Sequence, residues 1–221
     1  MTLTRPRILH RLAAPLVAML ALMLSLNVSA NEELRQYVDE NTQRLVQQLN
    51  EEQGLFESDP EAFYKRMDQA MTDFVDFRRI AARVMGRYAR QTSPEQRDEF
   101  VERFKRSLFE SYAQALVGSA DDFEINVKSA SVNPNNDDRG SVDMEVTSDS
   151  GNRYQISYSM YRNSDGVWLM ENVIVEGVNL GLAFRDRFAQ EMESRRGDVD
   201  EVISNWGDAV ASLNLDDEMD N

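Results

Sequence analysis

The sequence predicts an α+β fold in which a four-stranded antiparallel sheet packs against several helices and encloses an apolar cavity. Three observations predict this fold. Apolar residues recur every three to four positions in the first and last parts of the chain, which is the period of an amphipathic helix. In the middle part the period falls to two, which is the period of a strand with one wet face. Short turn sequences separate these strands, so they form a meander that one layer of helices can cover.

The first thirty residues have the pattern of a cleaved secretory signal. Three arginines precede an apolar stretch at residues 12–26, and small residues follow it. A retained membrane anchor is the alternative, but an anchor needs about 20 apolar residues. This stretch is shorter and contains Pro15. We therefore expect residues 1–30 to be removed, residues 31–213 to form a single domain, and the acidic residues 214–221 to be a disordered tail.

Composition excludes several function classes. Removing the signal takes away three basic residues and no acidic residue, so the net charge changes from −15 to −18. This charge opposes binding to nucleic acid or to an anionic membrane surface. Cysteine is absent and the single histidine, His10, lies in the predicted signal, which excludes Ser-His and Cys-His nucleophiles and imidazole metal sites. Carboxylate pairs could still serve acid–base chemistry, but the sequence singles out none, so we expect no enzyme and no cofactor.

Four helices are predicted before the strands. Each has a cap or a stop signal: an Asn or Asp cap, a proline in the first turn, a capping box, or a terminal glycine. The predicted bounds are residues 31–54, 59–74, 77–86 and 93–118. After the strands, Leu180, Phe184, Phe188 and Met192 predict a fifth helix. A final helix is predicted to begin at the cap Asp198 and to extend past Trp206 to Val210.

The predicted strands occupy residues 123–128, 142–146, 154–160 and 167–175. Turn sequences rich in Asn, Asp, Ser and Gly separate them at residues 133–140, 148–152 and 163–166. The fourth strand is apolar on both sides, so we expect both of its faces to be covered for part of its length. It therefore marks the place where the sheet meets the helices.

Two runs of residues resemble the MlaC, or toluene-tolerance, family. The first run comprises residues 76–88 and 93–97, with the segments DFRRIA, VMGRY and SPEQR. The second comprises residues 168–180, WLMENVIVEGVNL, followed by Arg185 and Phe188. Two positions differ from the usual pattern of the family. They are Asn172, where Asp is common, and Asn179, where Ser is common.

The resemblance implies a periplasmic phospholipid carrier. Such a protein would exchange lipid between an outer-membrane complex of the MlaA-porin type and an inner-membrane ABC transporter of the MlaFEDB type. It would thereby maintain the lipid asymmetry of the outer membrane, as a monomer with phospholipid as its cargo. The absence of His and Cys from the predicted mature chain agrees with this role, because a carrier needs no covalent step.

We expect the acyl chains to lie between the apolar face of the strands and the fourth helix, with two phenylalanines closing the cavity. Methionines suit such a lining because their flexible side chains adapt to chains of different shape. The bland interpretation is that the same residues simply pack against one another. The predicted lipid-binding residues are Phe104, Leu108, Tyr112, Leu116, Val142, Met144, Val146, Ile156, Tyr158, Met160, Trp168, Met170, Val173, Val175, Phe184 and Phe188.

Arginines stand out against the acidic background at Arg79, Arg83, Arg87 and Arg90, at near-helical spacing. They predict a docking surface for acidic partner proteins or a contact for lipid phosphate at the mouth of the cavity. A solvated face paired with nearby carboxylates is an equally good interpretation.

Two other functions are compatible with the sequence. A small-molecule enzyme on a similar curved-sheet fold would need a convergent polar group in its cavity. A periplasmic chaperone or adaptor would expose an apolar groove and would carry no bound lipid. Extraction of lipid from the purified protein distinguishes all three.

Overall fold

The structure, a computed structural model, describes residues 9–117, 123–148 and 151–213, and its side chains are described from Ser29 onward except at residues 114–116. The helices are α1 (Leu9–Ser58), α2 (Pro60–Thr72), α3 (Phe77–Met85), α4 (Pro94–Val117), α5 (Leu180–Ser194), α6 (Val199–Ser204) and α7 (Trp206–Ala211). The strands are β1 (Phe123–Asn133), β2 (Asn136–Ser148), β3 (Arg153–Arg162), β4 (Trp168–Val175) and β5 (Val178–Asn179). A 3₁₀ turn, Gly86–Arg90, follows α3.

The strands pair in sequence order, and every pair is antiparallel. The predicted meander is therefore confirmed, with the two-residue β5 added beside β4. The predicted turn at residues 133–140 is present but shorter than predicted, because Asn133 pairs with Asn136 and the hairpin turns within two residues. Pro134 can occupy this turn because its fixed φ suits the second position of a turn, and pairing resumes at once.

Helix α1 differs from its prediction at both ends. It runs without a break past Asn31, whose side-chain oxygen accepts the N–H of Val132 on β1 at 2.8 Å instead of capping a helix. It also continues through Gly54, since one glycine costs a helix only about 1 kcal/mol. It ends at Ser58 because a residue before proline avoids the helical region, and Asp59 has φ −151°.

The other predicted helix starts are confirmed by their caps. The side chain of Asp59 accepts the N–H of Ala62. Ser93 and Gln96 bond to each other's backbone in a reciprocal capping box. Asp198 caps α6. The prediction of a single final helix is wrong, because the helix is interrupted at Asn205 and forms the two short helices α6 and α7. The predicted end of α4 at Gly118 and the predicted acidic tail lie outside the described residues.

The edge of β4 is covered on both halves. Residues 74–76 run beside its first half, where the N–H of Met170 donates to the carbonyl of Phe74 and the carbonyl of Met170 accepts the N–H of Asp76. Strand β5 pairs with its second half. Between them, Glu171 has no partner on β3, since Met170 pairs with Met160 and Asn172 with Ser159. This β-bulge lets Met170 and Val173 face the same side while Glu171 points elsewhere.

The apolar interior consists of three clusters of buried residues. One cluster contains residues of all five helices from α3 through α7 and surrounds Phe100, Phe188 and Trp206. A second holds α1 against the sheet. A third joins α1, α2 and α4 around Phe63. A domain of this size ordinarily has one contiguous core. Here the core is divided into three clusters with a space between them. No helix in the described part of the chain has a segment long and apolar enough to cross a membrane.

Candidate functional site

An apolar cleft lies between the three core clusters. It consists of two adjoining cavities of about 410 Å³ and about 300 Å³. Both are lined by Met71, Phe77, Leu108 and Tyr112, so these four side chains form the junction between the cavities. Each cavity falls within the range of about 300–1,000 Å³ that is typical of small-molecule sites.

The two cavities have different walls. The larger one lies between α1, α2 and α4 and reaches the sheet at Ile125 and Tyr158. The smaller one lies between α3, α4, α5 and β4, and Met170 and Val173 reach it from either side of the bulge. The strand bulge thus aims two apolar side chains of β4 into one cavity.

The structure brings seven of the sixteen predicted lipid-binding residues to these cavities. They are Phe104, Leu108, Tyr112, Tyr158, Met170, Val173 and Phe184. Their side chains therefore line open space. The assignment of these residues to lipid remains a prediction.

The other predicted residues lie elsewhere. Val142, Met144, Met160 and Trp168 are buried against α1 in the second core cluster, and Phe188 is buried in the helical cluster. Ile156 packs at the edge of the second cluster, and Val146 and Val175 are half-buried on their strands. The side chain of Leu116 lies outside the described ones.

Sequence reasoning placed no part of the cleft on the first two helices. Its largest wall nevertheless comes from Leu45 and Leu49 of α1 and from Phe63, Met67 and Met71 of α2. In the sequence, the signal for this wall was the pair Met67 and Met71, which lie one helical turn apart on α2. The helical period identified the buried face of α2 but could not show that part of this face borders empty space.

Charged groups close the cleft where α2 meets α4. The Lys105 ammonium lies 2.9 Å from carboxylate oxygens of both Asp68 and Glu102, and its side chain is only 12% exposed. Burial disfavours the charge, but hydrogen bonds to Glu102 and Asp68 outweigh it and raise the pKa of Lys105. Arg106 pairs with Glu61 across the same seam. The Lys105–Asp68 and Arg106–Glu61 pairs therefore hold α2 against α4 beside the larger apolar cavity.

The sheet side of the larger cavity is strongly desolvated. Burial raises the pKa of Tyr158 to about 12. A phenol in this position stays neutral throughout the physiological pH range, so it adds no charge to the apolar wall.

A third cavity of about 540 Å³ adjoins the smaller apolar cavity, and we call it the polar cavity because charged side chains form part of its wall. Ile80, Asn172 and Gly181 line both. The other residues of its wall include Arg83, Arg185 and Glu171. The cleft therefore has an apolar interior and a charged end.

Glu171 organises the charge at this end. The side chain is 6% exposed, and its carboxylate contacts Arg79 at 2.5 Å, Arg83 at 2.9 Å and Arg139 at 2.6 Å. Arg79 also lies over the ring of Tyr161 at 4.0 Å. One buried carboxylate thus binds three arginines, and the group retains a net positive charge.

The predicted docking arginines differ in their surroundings. Arg79 and Arg83 converge on Glu171, whereas α3 ends before Arg87. Arg87 pairs with the exposed Glu193 at 3.6 Å and donates to the hydroxyl of Tyr88. Arg90 lies at the end of the 3₁₀ turn. Their role in docking remains a prediction.

The two positions that differ from the usual family pattern contact each other. The amide of Asn172 donates to the side-chain oxygen of Asn179 at 3.0 Å and accepts the N–H of Gly181 at 3.1 Å. Asn179 also caps α5 by accepting the N–H of Leu182. A Cβ on Gly181 would lie 2.4 Å from the Asn172 oxygen, so only glycine allows this approach of α5 to β4.

We predict that Asn172→Asp and Asn179→Ser are coupled. Asn172→Asp alone would oppose a carboxylate oxygen to the Asn179 oxygen, and we expect it to lower the free energy of unfolding by about 1–2 kcal/mol. The double variant should recover most of this loss, because a serine hydroxyl can donate to the new carboxylate. Urea unfolding of both single variants and the double variant measures the coupling, and strictly additive losses would contradict it.

Comparisons with known proteins identify a family and a fold. The family model described as "MlaC protein" matches residues 39–208. The toluene tolerance protein ttg2D of Pseudomonas putida is 36% identical over 174 residues, which are 77% of this chain and 78% of that protein. The structure of the phospholipid-binding protein from Ralstonia solanacearum, in complex with a phospholipid, superposes with a TM-score of 0.70 at 21% identity. The match covers 80% of this chain and 96% of that one.

Proposed function

This chain belongs to the MlaC family, and from that premise we propose that it is a phospholipid carrier that holds acyl chains in the apolar cleft. The observation that carries the proposal is the pair of adjoining apolar cavities between the three core clusters. Packed side chains would have filled this space if the interior were an ordinary core. The fold shared with the Ralstonia protein, which was solved with a bound phospholipid, supports the same conclusion.

The energetics explain why lipid transport needs such a protein. Exposing a methylene group to water costs about 0.8 kcal/mol, so two acyl chains with about 30 methylenes cross water extremely rarely without help. A carrier replaces the membrane with an apolar cavity and needs no chemical step. In this role the protein needs no enzymatic activity, and its cargo leaves unchanged.

We propose that the carrier works in the periplasm after cleavage at Ala30. The new terminal residue, Asn31, accepts the N–H of Val132, so the start of the mature chain would remain fixed to β1. The domain would extend from residue 31 to residue 213, and the acidic tail at residues 214–221 would follow it. The proposed partners are an outer-membrane MlaA-porin-type complex and an inner-membrane MlaFEDB-type transporter, between which the protein shuttles lipid to maintain lipid asymmetry.

Native mass spectrometry of protein purified from cells without detergent tests the proposal. We expect a folded species that carries an added mass of one or more phospholipids, which solvent extraction releases. The mass of the released lipid identifies its head group and chains. A well-folded sample free of lipid-sized additions would refute carriage and would favour a chaperone or adaptor.

A further inference from the structure

The polar end of the cleft contains two guanidinium groups that can face a ligand. Arg83 lies on α3 and Arg185 on α5, and both line the polar cavity. Both are partly exposed, at 46% and 48% of their side-chain surface. Guanidinium groups with free N–H donors are the preferred protein partners of phosphate oxygens.

The fold fixes the position of Arg185. Gly86 has φ +53°, a conformation that favours glycine, and a Cβ there would lie 3.5 Å from the Arg185 Cγ. The turn after α3 therefore packs closely against the stem of this arginine. Its guanidinium contacts Asp186 at 3.2 Å, and this is an exposed pair that contributes little and that water screens. A ligand in the cavity can compete with such a pair.

The charge around the cavity favours an anion. Glu171 is the carboxylate in the wall, and it already binds Arg79, Arg83 and Arg139. Counting Asp186, which pairs with Arg185, two negative charges oppose four positive ones, so the group keeps a net positive charge. Asn172 and Asn179, which complete the polar wall, are neutral.

The N-terminus of α5 does not provide the binding groups. The N–H of Gly181 donates to Asn172, and the N–H of Leu182 donates to Asn179. These donors are occupied within the protein. An anion in this cavity would therefore be bound by side chains.

We propose that Arg83 and Arg185 bind the phosphate group of the phospholipid whose acyl chains occupy the cleft. The proposal rests on the proposed function and adds a head-group subsite to it. The polar cavity lies beside the apolar cleft, and Ile80, Asn172 and Gly181 line both. A phosphate at these arginines would therefore lie beside the smaller apolar cavity. We expect the protein to select lipids that contain phosphate over neutral diacylglycerols.

A competition experiment on delipidated full-length mature protein tests the subsite. The protein is loaded from detergent micelles that contain equal amounts of phosphatidylglycerol and a diacylglycerol with the same chains, and native mass spectrometry gives the ratio bound. We expect the wild-type protein to prefer the phospholipid about tenfold or more, because one charge-assisted contact contributes at least this factor. Arg185→Gln should reduce the preference about tenfold. Arg83→Gln should do the same if its thermal unfolding shows that it remains folded.

The control is Arg78→Gln. Arg78 lies on α3 like Arg83 but pairs with Asp98 outside the cavity, and it is 71% exposed. Its removal changes the net charge equally and should leave the preference unchanged. Equal loading of both lipids by the wild-type protein, or an unchanged preference in Arg185→Gln, overturns the subsite while the carrier function stands. If neither lipid binds, the carrier function itself fails.

A separate titration distinguishes a lipid phosphate from a free one. Inorganic phosphate should bind weakly, because it lacks the acyl chains that hold the lipid phosphate near the arginines. If inorganic phosphate bound to the wild-type protein and not to Arg185→Gln, without any preference for phosphatidylglycerol, the cavity would be a phosphate site unrelated to the cargo. This result would overturn the proposal.

Discussion

Leu108→Trp should yield a folded protein that is purified without lipid. Leu108 is half-buried on α4 and borders both apolar cavities, so an indole at this position fills their junction. We expect the occupancy by phospholipid in native mass spectra to fall at least tenfold. The effect is large because the chains cannot pass from one cavity to the other around the indole.

The stability of delipidated Leu108→Trp distinguishes a cleft from a packed core. Overpacking a filled core costs typically 1–3 kcal/mol, whereas filling an empty cavity is neutral or stabilising. We therefore expect the free energy of unfolding of the delipidated variant to equal or exceed that of the delipidated wild-type protein. Leu108→Ala is the matched control, since it enlarges the junction and should still carry lipid. Normal lipid content in Leu108→Trp would contradict the assignment of the cleft.

Glu171→Gln should destabilise the fold more than any other single change of a charged residue considered above. The glutamine has nearly the same shape, but it leaves Arg79, Arg83 and Arg139 without a counter-charge at one nearly buried point. Removing one partner of a buried ion pair costs about 3–5 kcal/mol. The arginines here are a third to a half exposed, which reduces the expected loss to about 2–3 kcal/mol.

Urea unfolding at low and high salt measures the effect of Glu171→Gln. We expect high salt to restore part of the lost stability, because it screens the repulsion among the arginines. The matched control is Glu193→Gln, which removes an exposed carboxylate 3.6 Å from Arg87 and should change stability by less than about 0.5 kcal/mol. If the two variants unfolded at the same urea concentration, Glu171 would not organise this part of the fold.

Local sequence patterns were sufficient to predict the elements of this fold. The caps at Asp59, Ser93 and Asp198 and the alternation along the strands predicted helices and strands close to those observed. The predicted helix bounds were wrong at positions where the neighbouring residues do not determine whether a helix ends. Gly54 can stop a helix or be tolerated within it, and Asn205 breaks the final helix although the apolar period continues through it.

The sequence by itself determined the fold class, the family signatures and which face of each element is apolar. Only the tertiary structure decided which apolar residues pack and which line a cleft. Met144 and Met170 belong to similar apolar patterns and to the same buried cluster, but of the two only Met170 also borders one of the apolar cavities. The spacing of apolar residues along the sequence indicates which side of a helix or strand faces away from water. Whether neighbouring elements then fill the space between them depends on the distances and angles at which they pack, which no single element encodes.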